Sequence, residues 1–240
     1  NIINKKFNLK DIEYLSKNKF INNINNYKIN CTPEFSNIIT YIEQLKMIFN
    51  EYKILQENYF RNVNEIMDKS VYGLDIAKRQ IIRLLGQWIN GKSNGYVFGF
   101  EGPAGTGKTT LAKKGISECL RSTSGDKRPF IFIPMAGSSN GSTLEGHNYT
   151  YVGSTWGKIV DGLIESKCMN PIIYIDELDK ISNTPQGKEL IGILTHMTDS
   201  SQNNEFTDKY FSGIKFDLSK SLIIFSYNNP DNIDKILLDR

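Results

Sequence analysis

The chain has 240 residues, of which 39% are hydrophobic, and its 29 basic and 26 acidic residues leave a net charge of +3. That length and composition suit a soluble globular chain of one full domain plus an appendage, and the weak charge predicts no bulk attraction to nucleic acid or to an anionic membrane. No long uncharged apolar run is present, so no membrane partner is predicted. Cys31, Cys119 and Cys168 lie far apart without metal-type spacing. They predict thiols in a reducing, intracellular compartment, cytoplasmic in the first instance, with an organelle matrix as the other possibility. The chain starts at Asn1 and stops at Arg240 inside what reads as a continuing element, so it reads as part of a longer protein.

Residues 1–31 are polar and Asn-rich, and are read as weakly structured or as short helices. Thr32-Pro33-Glu34 then supplies a capping hydroxyl, a proline for the first helical position and an acid for the first turn. Ile38, Ile42, Leu45, Phe49 and Tyr52 follow at spacings of four and three, and Tyr59, Val63 and Ile66 continue the stripe. Two ordinary helices and one long lever both satisfy that pattern. The character changes near Ser70, which divides a helical segment, 1–69, from an α/β domain, 70–240. A helix opened by Val71-Tyr72-Gly73-Leu74-Asp75 carries Ile76, Ile81, Leu84, Leu85 and Trp88 on its apolar side. Strands at 96–101, 129–134, 171–175 and 221–227 then alternate with helices at 108–120, 156–168 and 187–198, with a Gly/Ser-rich loop over 136–146. Such alternation predicts a parallel sheet flanked by helices, with ligands at the carboxyl ends of its strands.

The first of those strands, Tyr96 to Phe100, runs into Gly102-Pro103-Ala104-Gly105-Thr106-Gly107-Lys108-Thr109-Thr110. This is a phosphate-binding loop in the strand-to-helix context the motif requires. Its glycines allow successive N–H groups to converge on phosphate oxygens, Lys108 reaches the β- and γ-phosphates, and the Thr109 hydroxyl ligates Mg²⁺. Leu111, Ala112, Ile116 and Leu120 provide the helix behind it. A P-loop NTPase sheet binding ATP with Mg²⁺ is the predicted fold and cofactor set. Hydrolysis needs more, and Pro171 to Asp179 offers it at the end of a β-branched strand. Asp176 is the metal carboxylate. Glu177 projects to the other side of an extended backbone and can polarise a water aligned on the γ-phosphate. Asp179 is the weaker candidate for the metal.

Beyond these two motifs, several separated segments resemble the AAA+ module of Lon-type ATP-dependent proteases. They are Val71 to Asp75, Gly146-His147-Asn148-Tyr149-Thr150-Tyr151-Val152-Gly153, Asp176 to Lys180, Gln202-Asn203, Phe216-Asp217-Leu218-Ser219 and Leu237-Leu238-Asp239-Arg240. Large DNA viruses with AT-rich genomes carry ATPases similar to this one, and the Asn-rich composition fits such a source. The resemblance implies that Tyr72 and Gly73 lie beside the adenine and that Asn228 is the polar sensor positioning the attacking water. It also implies that Arg240 is the arginine a neighbouring subunit inserts toward the γ-phosphate. A homo-oligomeric, hexameric ring is implied, with an unfolded protein as substrate and Tyr151-Val152 as the pore loop that grips it. Pro185-Gln186 lies at the position of a second pore loop.

The sequence departs from the family pattern in Ser138-Ser139-Asn140-Gly141-Ser142-Thr143-Leu144-Glu145-Gly146, where arginines are usual, and holds no lid or serine-lysine protease segment after Arg240. The expected activity is therefore ATPase, coupled to unfolding and translocation for proteolysis by a domain outside these residues. A nucleic-acid-remodelling ATPase of the loader type is the alternative, against which the weak charge and Tyr151-Val152-Gly153 count. A scaffold that binds ATP without turnover is a third, against which Lys108, Asp176 and Glu177 count.

Overall fold

The computed structural model of the chain describes residues 35–89, 96–121, 125–137 and 140–239. The readings over residues 1–31, the Thr32-Pro33-Glu34 helix start, Ser138, Ser139 and Arg240 lie outside them. The described residues form two compact units. One takes 35–89 with 114–121 and 125–127; the other takes 96–113 with 128–137 and 140–239.

In the first unit α1, Phe35–Ser70, is one continuous helix of 36 residues, about 54 Å long at 1.5 Å per residue. Of the two arrangements the stripe allows, the single long helix is the one formed. Among its described side chains, Val63 and Met67 near the C-terminal end are inaccessible, whereas Phe49 is 53% exposed. A second helix, α2, spans Asp75–Ile89 and buries Ile81 and Leu85. Ile76, which the sequence places on the apolar side, is instead 70% exposed, and Lys78 is buried with its Nζ 3.1 Å from Asp68 Oδ1. The cause is angular. At 100° per residue, positions 78, 81 and 85 share one face, and position 76 points away from it.

Cys119 also belongs to this unit. Tyr59 donates to its carbonyl at 3.0 Å, and burial pushes its thiol up to about 12. Only the thiolate reacts with alkylating agents, so Cys119 is expected to resist iodoacetamide at pH 8 and to label once the chain is unfolded. Mass spectrometry of its peptide before and after denaturant checks this, and rapid native labelling would refute it.

The second unit is built on β1 (Val97–Glu101), β2 (Phe130–Pro134) and β3 (Ile172–Asp176). A short antiparallel ribbon, β4 (Phe206–Thr207) and β5 (Lys215–Phe216), precedes β6 (Leu222–Tyr227). The main sheet runs β1-β6-β3-β2 with every neighbouring pair parallel, in the register Val97↔Ile223, Ile173↔Ile223 and Ile131↔Ile173. The predicted α/β fold with a parallel sheet is therefore the one adopted. Ile172, Ile173, Tyr174 and Ile175 of β3 are all inaccessible, as in a central strand covered on both faces.

The helix after β1, α3, begins at Lys108–Thr110, widens to π geometry over Leu111–Ile116 and ends at Ser117–Cys119. The predicted loop over 136–146 contains a short helix, α4, at Ser142–Glu145, and α5 follows at Lys158–Ser166. Next comes α6, Pro185–Thr198, which starts earlier than the apolar pattern indicates because Thr184 caps it: Thr184 Oγ1 accepts the Gly187 N–H at 3.2 Å. Pro185 and Gln186 are accordingly the first turn of a helix and not an open loop. A last short helix, α7, spans Lys235–Leu238.

Leu144, Ile159, Leu163, Leu190 and Leu194 bury one face of the sheet, alongside Ile133, Ile175 and Phe225. Near the amino-terminal ends of β3 and β6 the chain is tied by a buried guanidinium. Arg128 Nε donates to Asn170 O at 2.6 Å and Nη2 to Lys220 O at 2.9 Å. Burial lowers the Arg128 pKa to about 10, which leaves the group charged at neutral pH and bound to carbonyl dipoles.

Candidate functional site

Three strand ends make the site. Because β6 lies between β1 and β3, the segments following β1, β3 and β6 emerge side by side at one edge of the sheet. They line a cleft of about 310 Å³ with residues 104–110, Asp176, Glu177, Ser226, Tyr227 and Asn228.

The phosphate loop owes its path to its glycines. Gly105 and Gly107 have φ of 80° and 90°, conformations that a side chain resists, and Gly102 has φ of 153°. The loop is tied at its start, where Gly102 N donates to Tyr227 O at 3.2 Å, and across its base, where Thr106 Oγ1 donates to Pro103 O at 2.9 Å. The first intrahelical bond runs from Leu111 N to Gly107 O at 2.8 Å. The N–H groups of Lys108, Thr109 and Thr110 therefore precede the helical ladder, as those of a first turn must. Amides in this position, with a cation among them, suit the oxygens of a phosphate chain. Lys108 Nζ is the cation, donating to the carbonyls of Gly102 and Pro103 and to Asn228 Oδ1 at 2.9 Å.

On β3, Asp176 closes the strand and accepts the Glu177 N–H at 3.1 Å through Oδ1. Glu177 is not on the extended backbone that the sequence predicts for it: the strand ends at Asp176, and Glu177 sits in the left-handed region at φ 58°, which turns the chain sharply. A non-glycine residue there costs about 1 kcal/mol or more, a strain that clusters at functional sites. Asp179 is buried and accepts the Asn228 N–H at 3.4 Å, so it braces the loop after β6. The donor set fits Mg²⁺, which keeps several waters and takes one or two carboxylates beside phosphate oxygens: the Asp176 carboxylate and the Thr109 hydroxyl belong to residues that line the same cleft.

Two residues of the site escape the sequence reading. The Tyr174 hydroxyl lies 3.1 Å from Thr109 Oγ1 and is hydrogen-bonded to Ser226 as well. Burial is the main cause that raises the Tyr174 pKa above the ordinary phenol value, so the group is a neutral hydroxyl. Their signals were present: Tyr174 stands two residues before Asp176, hence on the same face of the strand, and Ser226 interrupts an apolar run.

The remaining described candidates are not among the residues that line the cleft. Tyr72 and Gly73 belong to the other unit, with Tyr72 fully exposed and Gly73 at φ 71°. Tyr151 and Val152 lie at the tip of the loop 147–155, where Tyr151 is 69% exposed and Val152 completely so. The loop is closed at its base by His147 N donating to Thr155 O at 3.0 Å, and at its tip by Tyr151 N to Asn148 O and Ser154 N to Tyr151 O, both 3.1 Å. Burial does not hold these two side chains; the backbone presents them.

Comparison with known proteins agrees with this geometry. Residues 98–240 match the family described as "ATPase family associated with various cellular activities (AAA)". A Lon protease homolog of Acanthamoeba polyphaga mimivirus is 40% identical over 185 residues, which cover 76% of this chain and 17% of that protein. Lon protease 2 of Borreliella burgdorferi is 33% identical over 240 residues, 98% of this chain and 29% of that protein. The Lon protease of Clostridium acetobutylicum is 32% identical over 210 residues, 87% and 26% respectively. The chain thus spans less than a third of the length of these relatives. With its phosphate loop, strand-end carboxylates and Asn228 inside the matched residues, the chain belongs to the AAA family of ATPases, in a form similar to the ATPase module of Lon proteases.

Proposed function

We propose that this chain is the ATP-hydrolysing motor module of a Lon-like protease, and that it couples turnover to translocation of an unfolded polypeptide. The observation that carries the reading is the single cleft into which Lys108, Thr109, Asp176, Glu177 and Asn228 converge from three adjacent strand ends.

In this reading the loop amides of residues 104–110 hold the phosphates, and Lys108 exchanges its carbonyl partners for β- and γ-phosphate oxygens. Thr109 and Asp176 hold Mg²⁺, which when bound offsets the charge developing on the phosphates. Glu177 accepts a hydrogen bond from the attacking water and orients it, and the Asn228 amide aligns the same water. Tyr72 and Gly73 contribute to the adenine site. Arg240, offered by a neighbouring copy in a hexameric ring, stabilises the transition state through its planar charge. Tyr151 and Val152, exposed on a loop fixed at its base, supply an aromatic-aliphatic grip for a polypeptide. Peptide cleavage is assigned to residues beyond this module. A reducing compartment fits the buried thiols of Cys119 and Cys168, and no helix among the described residues is long and apolar enough to cross a membrane.

The test is ATP turnover by the full-length protein with and without casein, for the parent and for Tyr151→Ala. Casein is expected to stimulate the parent severalfold, and Tyr151→Ala is expected to lose most of that stimulation. Turnover indifferent to casein but raised by DNA would replace the reading with a nucleic-acid remodeller. Absence of turnover would leave only a nucleotide-binding scaffold.

A further inference from the structure

Tyr174 occupies a position in the apolar run of β3 that a purely aliphatic side chain could fill. Its ring is stacked on Phe132, with centroids 5.9 Å apart, and lies 5.5 Å from that of Phe130. These contacts account for the ring and leave the hydroxyl to be explained. A buried phenol must find hydrogen-bond partners, and this one finds Thr109 Oγ1 at 3.1 Å and Ser226. The register explains the second partner. Tyr174 pairs with Ile224, which places Ser226 two residues further along β6 on the same face.

Each of the three hydroxyls has one hydrogen and two acceptor positions. If Thr109 Oγ1 is to give a lone pair to a cation, its own hydrogen must be directed elsewhere. The 3.1 Å contact admits either hydroxyl as donor, and a cation on Thr109 would select one: with Thr109 donating to Tyr174, the Tyr174 hydrogen is left for Ser226. The Thr109 lone pairs then remain for the cleft that this residue lines.

We propose that Tyr174 is a positioning residue for the divalent cation, holding the Thr109 hydroxyl in its ligating orientation through a hydrogen-bond chain anchored on Ser226. The proposal rests on the reading of Thr109 as a metal ligand. A merely structural Tyr174 would matter to stability and leave the response to the metal unchanged.

The experiment is equilibrium binding of a fluorescent ATP analogue to the whole chain, first in EDTA and then at graded Mg²⁺. Tyr174→Phe keeps the ring and removes only the hydroxyl. It is expected to bind the analogue in EDTA as the parent does, and to need about tenfold more Mg²⁺ for half of the metal-dependent gain in affinity, as loss of a partner to a metal ligand commonly requires. Ser226→Ala is expected to shift the midpoint in the same direction. Thr109→Val is expected to abolish the metal-dependent gain, which checks the underlying reading. A parent-like midpoint in Tyr174→Phe beside a lost response in Thr109→Val overturns the proposal and leaves the ligand reading intact. A parent-like response in Thr109→Val overturns both. Should Tyr174→Phe fail to fold, Ser226→Ala decides, and a parent-like midpoint in it overturns the proposal.

Discussion

Glu177→Gln should bind ATP as the parent does and hydrolyse it about 10² to 10⁴ times more slowly, the range expected when a general base is lost. The substitution preserves size, so the left-handed turn at φ 58° and the hydrogen bond from its backbone N–H to Asp176 need not change. What disappears is the negative oxygen that takes or polarises the water proton. Phosphate release measured beside equilibrium nucleotide binding separates the two roles. A parent-like rate would place the base on another residue. Weakened binding with an unchanged rate would mean that Glu177 supports the nucleotide and not the water.

The second large effect concerns the loop that presents Tyr151. Gly157→Ala is expected to destabilise the fold by about 4 kcal/mol or more, at the extreme of single substitutions. A Cβ on Gly157 would lie 2.0 Å from Leu144 O and 2.6 Å from Gly146 N, backbone atoms that cannot rotate aside as a side chain could. The same residue donates its N–H to the buried carboxylate of Asp208 at 2.8 Å, and Asp208 also accepts the Tyr210 N–H at 2.8 Å. Backing away from the clash would strain or break those bonds. At roughly 2–4 °C per kcal/mol for a chain of this size, the melting temperature should fall by about 8–16 °C. A parent-like melting curve would show that this junction yields cheaply. Because the loop 147–155 is closed by His147 and Thr155 beside this junction, any folded variant should also respond less to casein.

Much of this was legible in the sequence, and where it was not, the reason is physical. The strands Ile172–Asp176 and Leu222–Tyr227 announce themselves as apolar runs because a buried parallel strand needs apolar side chains on both faces, and the half-buried edge strand Val97–Glu101 is read from the aromatic run that leads into the phosphate loop. The phosphate loop is legible because left-handed backbone geometry demands glycine at 105 and 107. Residue spacing carries less where the answer depends on a partner. The stripe from Leu45 to Ile66 fits one helix or two, and Ile76 reads as apolar-side until the face set by residues 78, 81 and 85 is known. Tyr174 reads as one more β-former, since nothing in its neighbours along the chain reveals that Thr109 and Ser226 will meet its hydroxyl. The short helix Ser142–Glu145 is hidden for a related reason: Ser, Gly and Asn surround it, and its only buried residue is Leu144.

The strand order β1-β6-β3 has one more consequence. Neighbouring strands stand about 4.8 Å apart, a spacing set by the N–H···O=C bond and by no side chain. The ends of the strands that lead into the phosphate loop and into Asp176 are therefore two such steps apart, about 10 Å, with the end of the strand that leads into Asn228 between them. The site is gauged by a ruler whose graduations are backbone hydrogen bonds. Substitutions can alter which groups stand at the marks, but only the gain or loss of a whole strand could move the marks themselves.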